Sequence, residues 1–501
     1  MMTDEQAKTV KTDVLIVGGG LAGLTCAVGL RGSGLKVTVI EQDSRLGGRA
    51  QSWTEPTTGD PVHIGPHILL NPYPNMFRLL DRLGTSHKVI FQPAGEFIFL
   101  VDGAKELPIR AAPLPSPFHQ MPSAYVDREL STWDRLSTIP ITAFALQATE
   151  DEILSFDDRR AIDVLREFGV SEAFIERFWQ FTALAILNVP LEQCSAAALL
   201  RFHKHLTGHR SLGIGFSDGG LGDLFAPAAK AAIERDGGEV WLSCPARAFR
   251  GTPGRVTGVT LADGRAIEAR LTVGAVPPQA LHALLPAEWR ARLPEFEALS
   301  QLEPCPYISP YLWFDRKLTR RPFWARYRSP RSINCDFYDF SNIYRGWRDR
   351  PSFIGTNIIN TRRLPAMTDD EVIASVIREM SEYLPEVKQA KLLHAVVHRI
   401  PMAIHCPHPG SEKLRLPVRT SIADLLLAGD WVRTNFPASM ESAVYAGWRA
   451  AEEILRQVGR PTELAWFDPR IDRSALLTGH TWNYLPTMRI PRFWRKHFAI
   501  R

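Results

Sequence analysis

The apolar and polar positions near the N-terminus predict a strand, a helix and a second strand in close succession. DVLIV, residues 13–17, is a short β-branched run of the kind that forms a buried strand. LAGLTCAVGL, residues 21–30, then carries apolar residues at helical spacing, and KVTVIE, residues 36–41, has the pattern of another strand. We therefore predict a βαβ unit between residues 12 and 41.

Behind this unit the pattern alternates between helical and strand-like blocks. Residues 158–206 carry helical periodicity that is punctuated by glycine and proline. Residues 256–278 predict a β-hairpin, and residues 281–400 contain strand-like runs with one amphipathic helix. Residues 425–455 then combine a short strand with a long helix. This alternation is typical of an α/β fold into which other elements are inserted.

The βαβ unit also carries the glycine pattern of a dinucleotide-binding turn. Gly18-x-Gly20-x-x-Gly23 lies between the first strand and the helix. In such a turn the first glycine permits a tight bend, the second lets a pyrophosphate approach, and the third lets helix and strand pack closely. The phosphates then bind at the helix N-terminus, where unpaired N–H groups point outward. Glu41 ends the second strand, where a carboxylate can bind ribose hydroxyls.

The composition indicates a globular protein with more than one structural domain. The chain has 501 residues, of which 45% are hydrophobic and 23% charged, and its net charge of +5 does not by itself indicate a nucleic-acid partner. The six cysteines are scattered without a CxxC pair, which argues against a zinc site or a disulfide framework. The N-terminus lacks the apolar core of a secretion signal, and no apolar run is long enough to span a bilayer. We therefore expect a cytoplasmic protein without a metal site.

A basic Gly-Gly turn follows Glu41 and suggests which dinucleotide binds. Arg45-Leu-Gly47-Gly48-Arg49 places two cations and free amides near a diphosphate. It resembles the RxGGR element of FAD enzymes in the amine oxidase superfamily, which includes phytoene desaturases and protoporphyrinogen oxidases. The resemblance implies FAD as the cofactor. It also implies a doubly wound, Rossmann-like FAD-binding domain in discontinuous segments, together with an α+β substrate domain.

The next stretch, HIGPHILLNPYPN at residues 63–75, resembles plant-type phytoene and ζ-carotene desaturases and bacterial hydroxysqualene dehydroxylase. The resemblance places Gly65, Pro66 and His67 at the cofactor, with His67 near the reaction site. Those families usually carry an acid two residues before this glycine, whereas this chain has His63. A histidine there could titrate or donate a hydrogen bond beside the flavin, or it could be a structural loop residue.

Two later segments extend the resemblance to residue 455. Ala246 follows a predicted strand at the position where the superfamily commonly reads adenine through the main chain. Gly429-Asp430 ends the strand LLLAGD, and the resemblance places this aspartate at the ribityl and pyrophosphate part of the flavin. The helix after Pro437 would then direct its N-terminus at the isoalloxazine, where it stabilises negative charge on a reduced flavin.

The resemblance therefore implies a set of cofactor-binding residues and a division of the chain. The cofactor set is Gly18, Gly20, Leu21, Ala22, Gly23, Glu41, Gln42, Arg45, Gly47, Gly48, Arg49, Gly65, Pro66, His67, Ala246, Gly429, Asp430, Ser439, Met440 and Ala443. The expected FAD-binding segments are residues 12–85, 211–280 and 401–460. The expected substrate domain and tail are residues 86–210, mostly helical, residues 281–400, mostly sheet, and residues 461–501, an aromatic and basic tail.

The expected reaction is hydride transfer between flavin N5 and a hydrophobic isoprenoid, as in carotenoid desaturation or hydroxysqualene dehydroxylation. The electron acceptor is left open between a quinone and oxygen. A flavin amine oxidase and a non-redox FAD-dependent double-bond isomerase are the alternatives. His67 and His63 are the candidate catalytic residues. The Pro-rich stretch 111–124 and the basic aromatic end 491–501 would suit peripheral contact with the inner membrane face, or packing on the protein itself.

Overall fold

The structure is a computed structural model. It describes residues 9–92, 97–101, 105–109, 127–209, 213–326 and 332–467. The two segments for which membrane contact is expected, 111–124 and 491–501, lie outside these residues. Within the described ranges, no helix is both long enough and apolar enough to cross a membrane.

The N-terminal βαβ unit forms as the hydrophobic pattern predicts. Thr9–Val17 pairs in parallel with Val37–Ile40, and the helix Leu21–Gly29, here called the nucleotide helix, connects them. Every residue of this helix is buried. A helix that is apolar on all sides requires cover on all sides. The C-terminal helix Met440–Gln457 provides part of it, because Gly29 packs against Ala451 and a Cβ atom on Gly447 would lie 2.5 Å from the Ala22 oxygen.

A seven-stranded sheet is built around this unit from distant parts of the chain. Ala266–Gly274 pairs in parallel with Thr9–Val17, and its end pairs in parallel with Leu425–Leu427. Its start pairs with Arg255–Leu261 in the antiparallel hairpin that the sequence predicts. The order across the sheet, apart from Leu425–Leu427, is Glu239–Trp241, Val37–Ile40, Thr9–Val17, Ala266–Gly274, Arg255–Leu261 and Ala246–Thr252. The α/β fold class with a doubly wound sheet is thus confirmed.

The molecule contains a second seven-stranded sheet. Its long edge strand Leu392–His405 runs antiparallel to Pro304–Phe314. The helix Asp369–Ser381 covers one face of the sheet with Val376 and Met380. The order across the sheet is Leu392–His405, Pro304–Phe314, Phe353–Ile358, Asn334–Asp339, Phe323–Arg326, Phe97–Val101 and Lys105–Ile109.

The smaller elements connect these sheets. Two short sheets contain Ser52–Thr54 with Pro61–His63, and Leu69–Leu70, Ile214–Ser217 and Val89–Phe91. The remaining α-helices are Pro74–Leu83, Thr132–Leu136, Ile139–Gln147, Glu150–Leu154, Ala161–Glu167, Glu172–Phe174, Gln180–Thr182, Ala196–Gly208, Ala226–Arg235, Pro278–Leu284, Ala287–Arg290, Pro294–Glu297 and Phe340–Ile343.

The helical stretch predicted around residues 172–188 is not a regular α-helix. Ile175–Trp179 and Ala183–Leu187 are π-helical turns. Such turns are rare in proteins, and those that occur are often found at functional sites. Asn188 ends the stretch with a φ of +68°. Trp179 and Phe181 are buried, whereas Phe178 is partly exposed.

Candidate cofactor and substrate site

The three glycines of the fingerprint have distinct surroundings. Gly18 has a φ of +113°, and a Cβ atom there would lie 2.4 Å from the Ala275 oxygen. A Cβ atom on Gly23 would lie 2.1 Å from the Gly18 oxygen, so this glycine is required where helix and strand meet. At Gly20 a Cβ atom would meet no described protein atom within 4 Å. Gly20 therefore borders open space, while the other two glycines permit close packing.

The start of the nucleotide helix is suited to an anion. Gly20 is its N-cap residue and provides no side chain to cap it, and no acidic residue lies in its first turn. The first intrahelical bond runs from the Leu24 N–H to the Gly20 oxygen. Leu21, Ala22 and Gly23 thus form a first turn whose amides are not intrahelical donors. This opening, beside the space at Gly20, fits the pyrophosphate of FAD.

The carboxylate of Glu41 lies directly under this turn. Its Oε2 accepts a hydrogen bond from the Gly19 N–H at 2.8 Å, and its Oε1 accepts one from the Asp43 N–H at 3.0 Å. Burial raises the pKa of Glu41, although both N–H groups act in the opposite direction. Each oxygen retains a lone pair, so the carboxylate can still accept a ribose hydroxyl. That ribose contact stays a prediction.

The segment that is predicted to lie near adenine, which contains Ala246, is joined to Glu41 by main-chain hydrogen bonds. The Glu41 N–H donates to the Trp241 oxygen at 2.9 Å, and the Cys244 N–H donates to the Glu41 oxygen at 2.8 Å. Ala246 begins the edge strand two residues later and is half-buried, and Gln42 is exposed. The structure thus brings Ala246 to the side of the fingerprint at which Glu41 lies.

The Gly-Gly turn packs against the fingerprint as well. The Gly47 N–H donates to the Gly19 oxygen at 2.9 Å, and a Cβ atom on Gly48 would lie 3.3 Å from the Gly20 Cα. The two flanking arginines diverge from this turn. The Arg45 guanidinium lies over the Trp53 ring at 5.1 Å, in cation–π geometry.

Arg49 joins this turn to the end of the strand at Gly429. Its guanidinium forms two parallel bonds with Asp430, 2.6 Å from Nη2 to Oδ1 and 3.1 Å from Nη1 to Oδ2. Nη1 also donates to the Ala403 oxygen at 3.3 Å. Burial alone would raise the pKa of Asp430, but the Arg49 charge and hydrogen bonds bring that pKa below its ordinary value. The predicted residues Arg49 and Asp430 therefore form one bidentate pair, with the carboxylate ionised.

Arg415, which no sequence motif indicated, holds the loop that follows Asp430. Its side chain is 1% exposed, so its charge requires partners within the protein. Its hydrogen bonds go to the main-chain oxygens of Asp430, Trp431, Val432 and Phe436, to the carboxylate of Glu412 and, at 3.5 Å, to the Thr434 hydroxyl. A single guanidinium fork thus fixes the loop between the strand and the C-terminal helix.

The C-terminal helix begins at Met440 with Ser439 as its N-cap. The Ser439 hydroxyl accepts from the Ser442 N–H, and the Ala443 N–H makes the first intrahelical bond to the Ser439 oxygen. Glu441 follows Met440 in the first turn of this helix and is buried, and no sequence motif indicated a role for it. The C-terminal helix therefore begins after the loop that follows Asp430, the partner of Arg49.

Glu441 connects this helix to the predicted YPN stretch. It accepts from the Asn75 N–H at 3.0 Å, from Asn75 Nδ2 at 2.6 Å and from the Met76 N–H at 2.9 Å. Asn75 also bonds both the N–H and the oxygen of Trp466. Burial raises the pKa of Glu441 to about 7, although the three donors oppose the shift. Asn75 is therefore a structural anchor between chain segments.

His63 is buried and uses both of its ring nitrogens. The Leu221 N–H donates to Nδ1 at 2.9 Å, so Nε2 carries the proton and donates to the Tyr344 hydroxyl at 2.9 Å. Burial lowers the pKa of His63 to about 3, and nearby His67 acts in the same direction. A neutral histidine in this position links three segments, and its catalytic role stays a prediction.

His67 has a different environment. Its Nδ1 bonds the Gly65 oxygen at 2.7 Å, which leaves Nε2 as the unprotonated nitrogen of the neutral ring. The ring is exposed, yet the surrounding protein desolvates it enough to lower its pKa, and the Arg49 charge adds to this effect. A Cβ atom on Gly65 would lie 2.9 Å from the Ser309 hydroxyl. The loop of Gly65, Pro66 and His67, which is predicted to contact the cofactor, therefore meets the second sheet.

Among the residues that the structure describes, the cysteines and the titratable groups show no metal-binding arrangement. All six cysteines are buried. Within the described residues no three histidine, cysteine, aspartate or glutamate side chains are grouped as metal ligands would be.

Known proteins resemble this chain over most of its length. Residues 21–455 match the family model described as flavin containing amine oxidoreductase. The chain is 26% identical to 15-cis-phytoene desaturase of Synechococcus elongatus over 89% of this chain and 98% of the relative, and 27% identical to that of Capsicum annuum over 89% and 78%. Cyclohexylamine oxidase from Brevibacterium oxydans shares the fold with a TM-score of 0.64 and 18% identity, over 90% of this chain and 100% of that structure. The chain therefore belongs to the flavin containing amine oxidoreductase family and is an FAD-dependent oxidoreductase.

Proposed function

We propose that this protein transfers hydride between FAD and a long hydrophobic isoprenoid, as a carotenoid desaturase or a hydroxysqualene dehydroxylase does. The observation that carries the proposal is the extent of the match to phytoene desaturases, which includes 98% of the Synechococcus relative. The amine oxidase resembles this chain in fold at 18% identity. We therefore favour the isoprenoid function over amine oxidation.

In our proposal, different residues of the site bind different parts of FAD. The bound flavin supplies the redox chemistry, and the protein supplies position, dryness and electrostatics. In our proposal the amides beside Gly20 hold the pyrophosphate, and Glu41 holds a ribose hydroxyl. The Arg49–Asp430 pair lies between these phosphate contacts and the start of the C-terminal helix, where it orients Asp430 toward the ribityl chain.

We further propose that His67 faces the substrate side of the flavin. The ring is accessible despite its desolvated surroundings, which is the behaviour of a side chain that lines an interior space. The bond from Nδ1 to the Gly65 oxygen fixes the tautomer, so Nε2 presents a lone pair to that space. His67→Gln should therefore perturb the visible flavin spectrum, whereas a purely structural role would change only stability.

An anaerobic spectral titration tests the proposal. The purified holoenzyme is titrated with carotene-type, squalene-type and amine candidates, once with oxidised flavin and once with photoreduced flavin. A desaturase substrate bleaches the oxidised flavin, and a dehydroxylase substrate restores the colour of the reduced flavin. Bleaching by an amine alone would replace the proposal with amine oxidation, and conversion without net bleaching would indicate the isomerase.

The electron acceptor and the location are further parts of the proposal. Re-oxidation of the bleached enzyme by a quinone analogue or by oxygen distinguishes the two expected acceptors. We propose a cytoplasmic protein that contacts the inner membrane face, because an isoprenoid partitions into bilayers. The basic aromatic tail would supply this contact through charge and buried rings.

A further inference from the structure

A β-bulge lies in a central strand of the second sheet. Cys335 and Asp336 together oppose the single residue Asn357, because the register shifts between Asn334 and Phe337. Such a bulge bends the strand and redirects its side chains, and bulges are common beside active sites. The bulge therefore gives Asp336 an orientation that a regular strand would not.

Asp336 is connected to the loop that carries His67. Its Oδ2 accepts from the Tyr338 hydroxyl at 2.9 Å, and its Oδ1 accepts from Asn357 Nδ2 at 3.3 Å. The same Asn357 amide donates to the Pro66 oxygen at 3.2 Å, and its Oδ1 accepts from the Ser309 hydroxyl at 2.9 Å. One side chain therefore separates the Asp336 carboxylate from the predicted cofactor loop.

Asp336 also retains access to solvent, although its strand is interior. The adjacent Cys335 and Phe337 are 5% and 0% exposed, whereas Asp336 is partly exposed. Phe337 packs on the covered face of the sheet, against the helix Asp369–Ser381. Cys335 packs on Leu184 of the π-helical stretch. The Asp336 carboxylate therefore lies on the side of the sheet that carries the Pro66 and His67 loop, because one Asn357 amide donates both to Asp336 and to the Pro66 oxygen.

We propose that Asp336 binds a hydroxyl group of the ligand, so that the enzyme prefers an isoprenoid alcohol to a hydrocarbon of the same length. This inference rests on the proposed function and adds the substrate class. A hydrocarbon bound beside Asp336 would leave a carboxylate facing an alkyl chain, which is unfavourable. A hydroxyl can donate to the carboxylate, because the Tyr338 and Asn357 side chains donate one hydrogen bond each and a carboxylate has about four acceptor positions.

The electrostatics of the described residues are consistent with this role. No lysine or arginine among them forms an ion pair with Asp336, so a donor from the ligand is not in competition with a cation there. Burial raises the pKa of Asp336 to about 6, although the Tyr338 and Asn357 hydrogen bonds oppose the shift. The carboxyl is thus mostly ionised at neutral pH and able to accept.

The test is a binding comparison on the FAD-loaded enzyme in mixed micelles, with squalene and hydroxysqualene as probes and tryptophan fluorescence as the readout. Asp336→Leu removes the acceptor, and Asp336→Asn retains an acceptor oxygen. Asp315→Leu is the matched control, because Asp315 is an exposed aspartate of the same sheet region. FAD content and thermal midpoint are measured for each variant, so that loss of folding is recognised.

We expect hydroxysqualene to bind roughly ten- to a hundredfold more tightly than squalene, the range for a hydrogen bond to a charged group. Asp336→Leu should remove this preference, Asp336→Asn should retain part of it, and Asp315→Leu should leave it unchanged. Equal affinities in the wild type, or a preference that survives Asp336→Leu, would overturn the inference. The proposed function would survive that result, because squalene would still bind, and it fails instead if only an amine perturbs the flavin.

Discussion

The buried Arg415 offers a stringent test of how the site is organised. Arg415→Lys retains the positive charge but replaces a planar fork with a single nitrogen. The fork reaches four main-chain oxygens and one carboxylate, at distances from 2.7 to 3.2 Å. A lysine at this position has three donors on one nitrogen atom. It therefore cannot reach all the acceptors that surround the arginine guanidinium.

The size of the effect follows from the bonds that are lost. If lysine retains the Glu412 pair and one or two oxygens, two or three buried acceptors lose their donor. At roughly 1–1.5 kcal/mol for each net hydrogen bond, the loss is about 2–4.5 kcal/mol. That is a large part of the roughly 5–15 kcal/mol by which proteins are stable. Because the loop carries Asp430, the variant should also bind FAD more weakly.

Urea denaturation of the apoprotein measures the free energy of unfolding, and quenching of free-flavin fluorescence measures FAD affinity. Arg419→Lys is the matched control, because Arg419 is 60% exposed at its side chain and pairs with Glu453 at the surface. Such a pair contributes about 0–1 kcal/mol. If Arg415→Lys changed stability by no more than Arg419→Lys, the role assigned to the fork would be refuted.

Four further predictions concern the cofactor, pH and membrane. Gly20→Val should abolish FAD binding in a folded protein, whereas Gly23→Val should unfold it, as circular dichroism and flavin content would show. Glu41→Ala should weaken FAD binding by roughly ten- to a hundredfold through loss of a charged hydrogen bond, and unchanged affinity in a flavin titration would contradict the ribose contact. Glu441→Gln should reduce the free energy of unfolding by about 1–3 kcal/mol. This deficit should shrink in urea titrations as pH rises from 4.5 toward 7, because the raised pKa makes the wild type lose stability there. Truncation after Tyr484 should reduce co-sedimentation with anionic liposomes at low salt, and a full-length protein that ignores them would exclude the membrane contact.

The elements of the cofactor half follow from local pattern. The βαβ unit at residues 12–41 was predictable because an apolar run, helical spacing and a second run are all properties of adjacent residues. The fingerprint glycines were predictable because each is required by backbone geometry within the same turn. The strand at Leu425–Leu427 and the helix after Ser439 were likewise visible in the sequence, and their family resemblance indicated FAD.

The partners of the functional side chains were decided by tertiary structure. Nothing in the sequence around Arg49 shows that its guanidinium pairs with Asp430, nor does the YPN stretch show that Asn75 binds Glu441. Arg415 and Asp336 lie in no motif, and they acquire their roles from a buried loop and a strand bulge. Sequence pattern records which residues are apolar and how the backbone turns locally, whereas hydrogen-bond partners and desolvation depend on segments that meet only after folding.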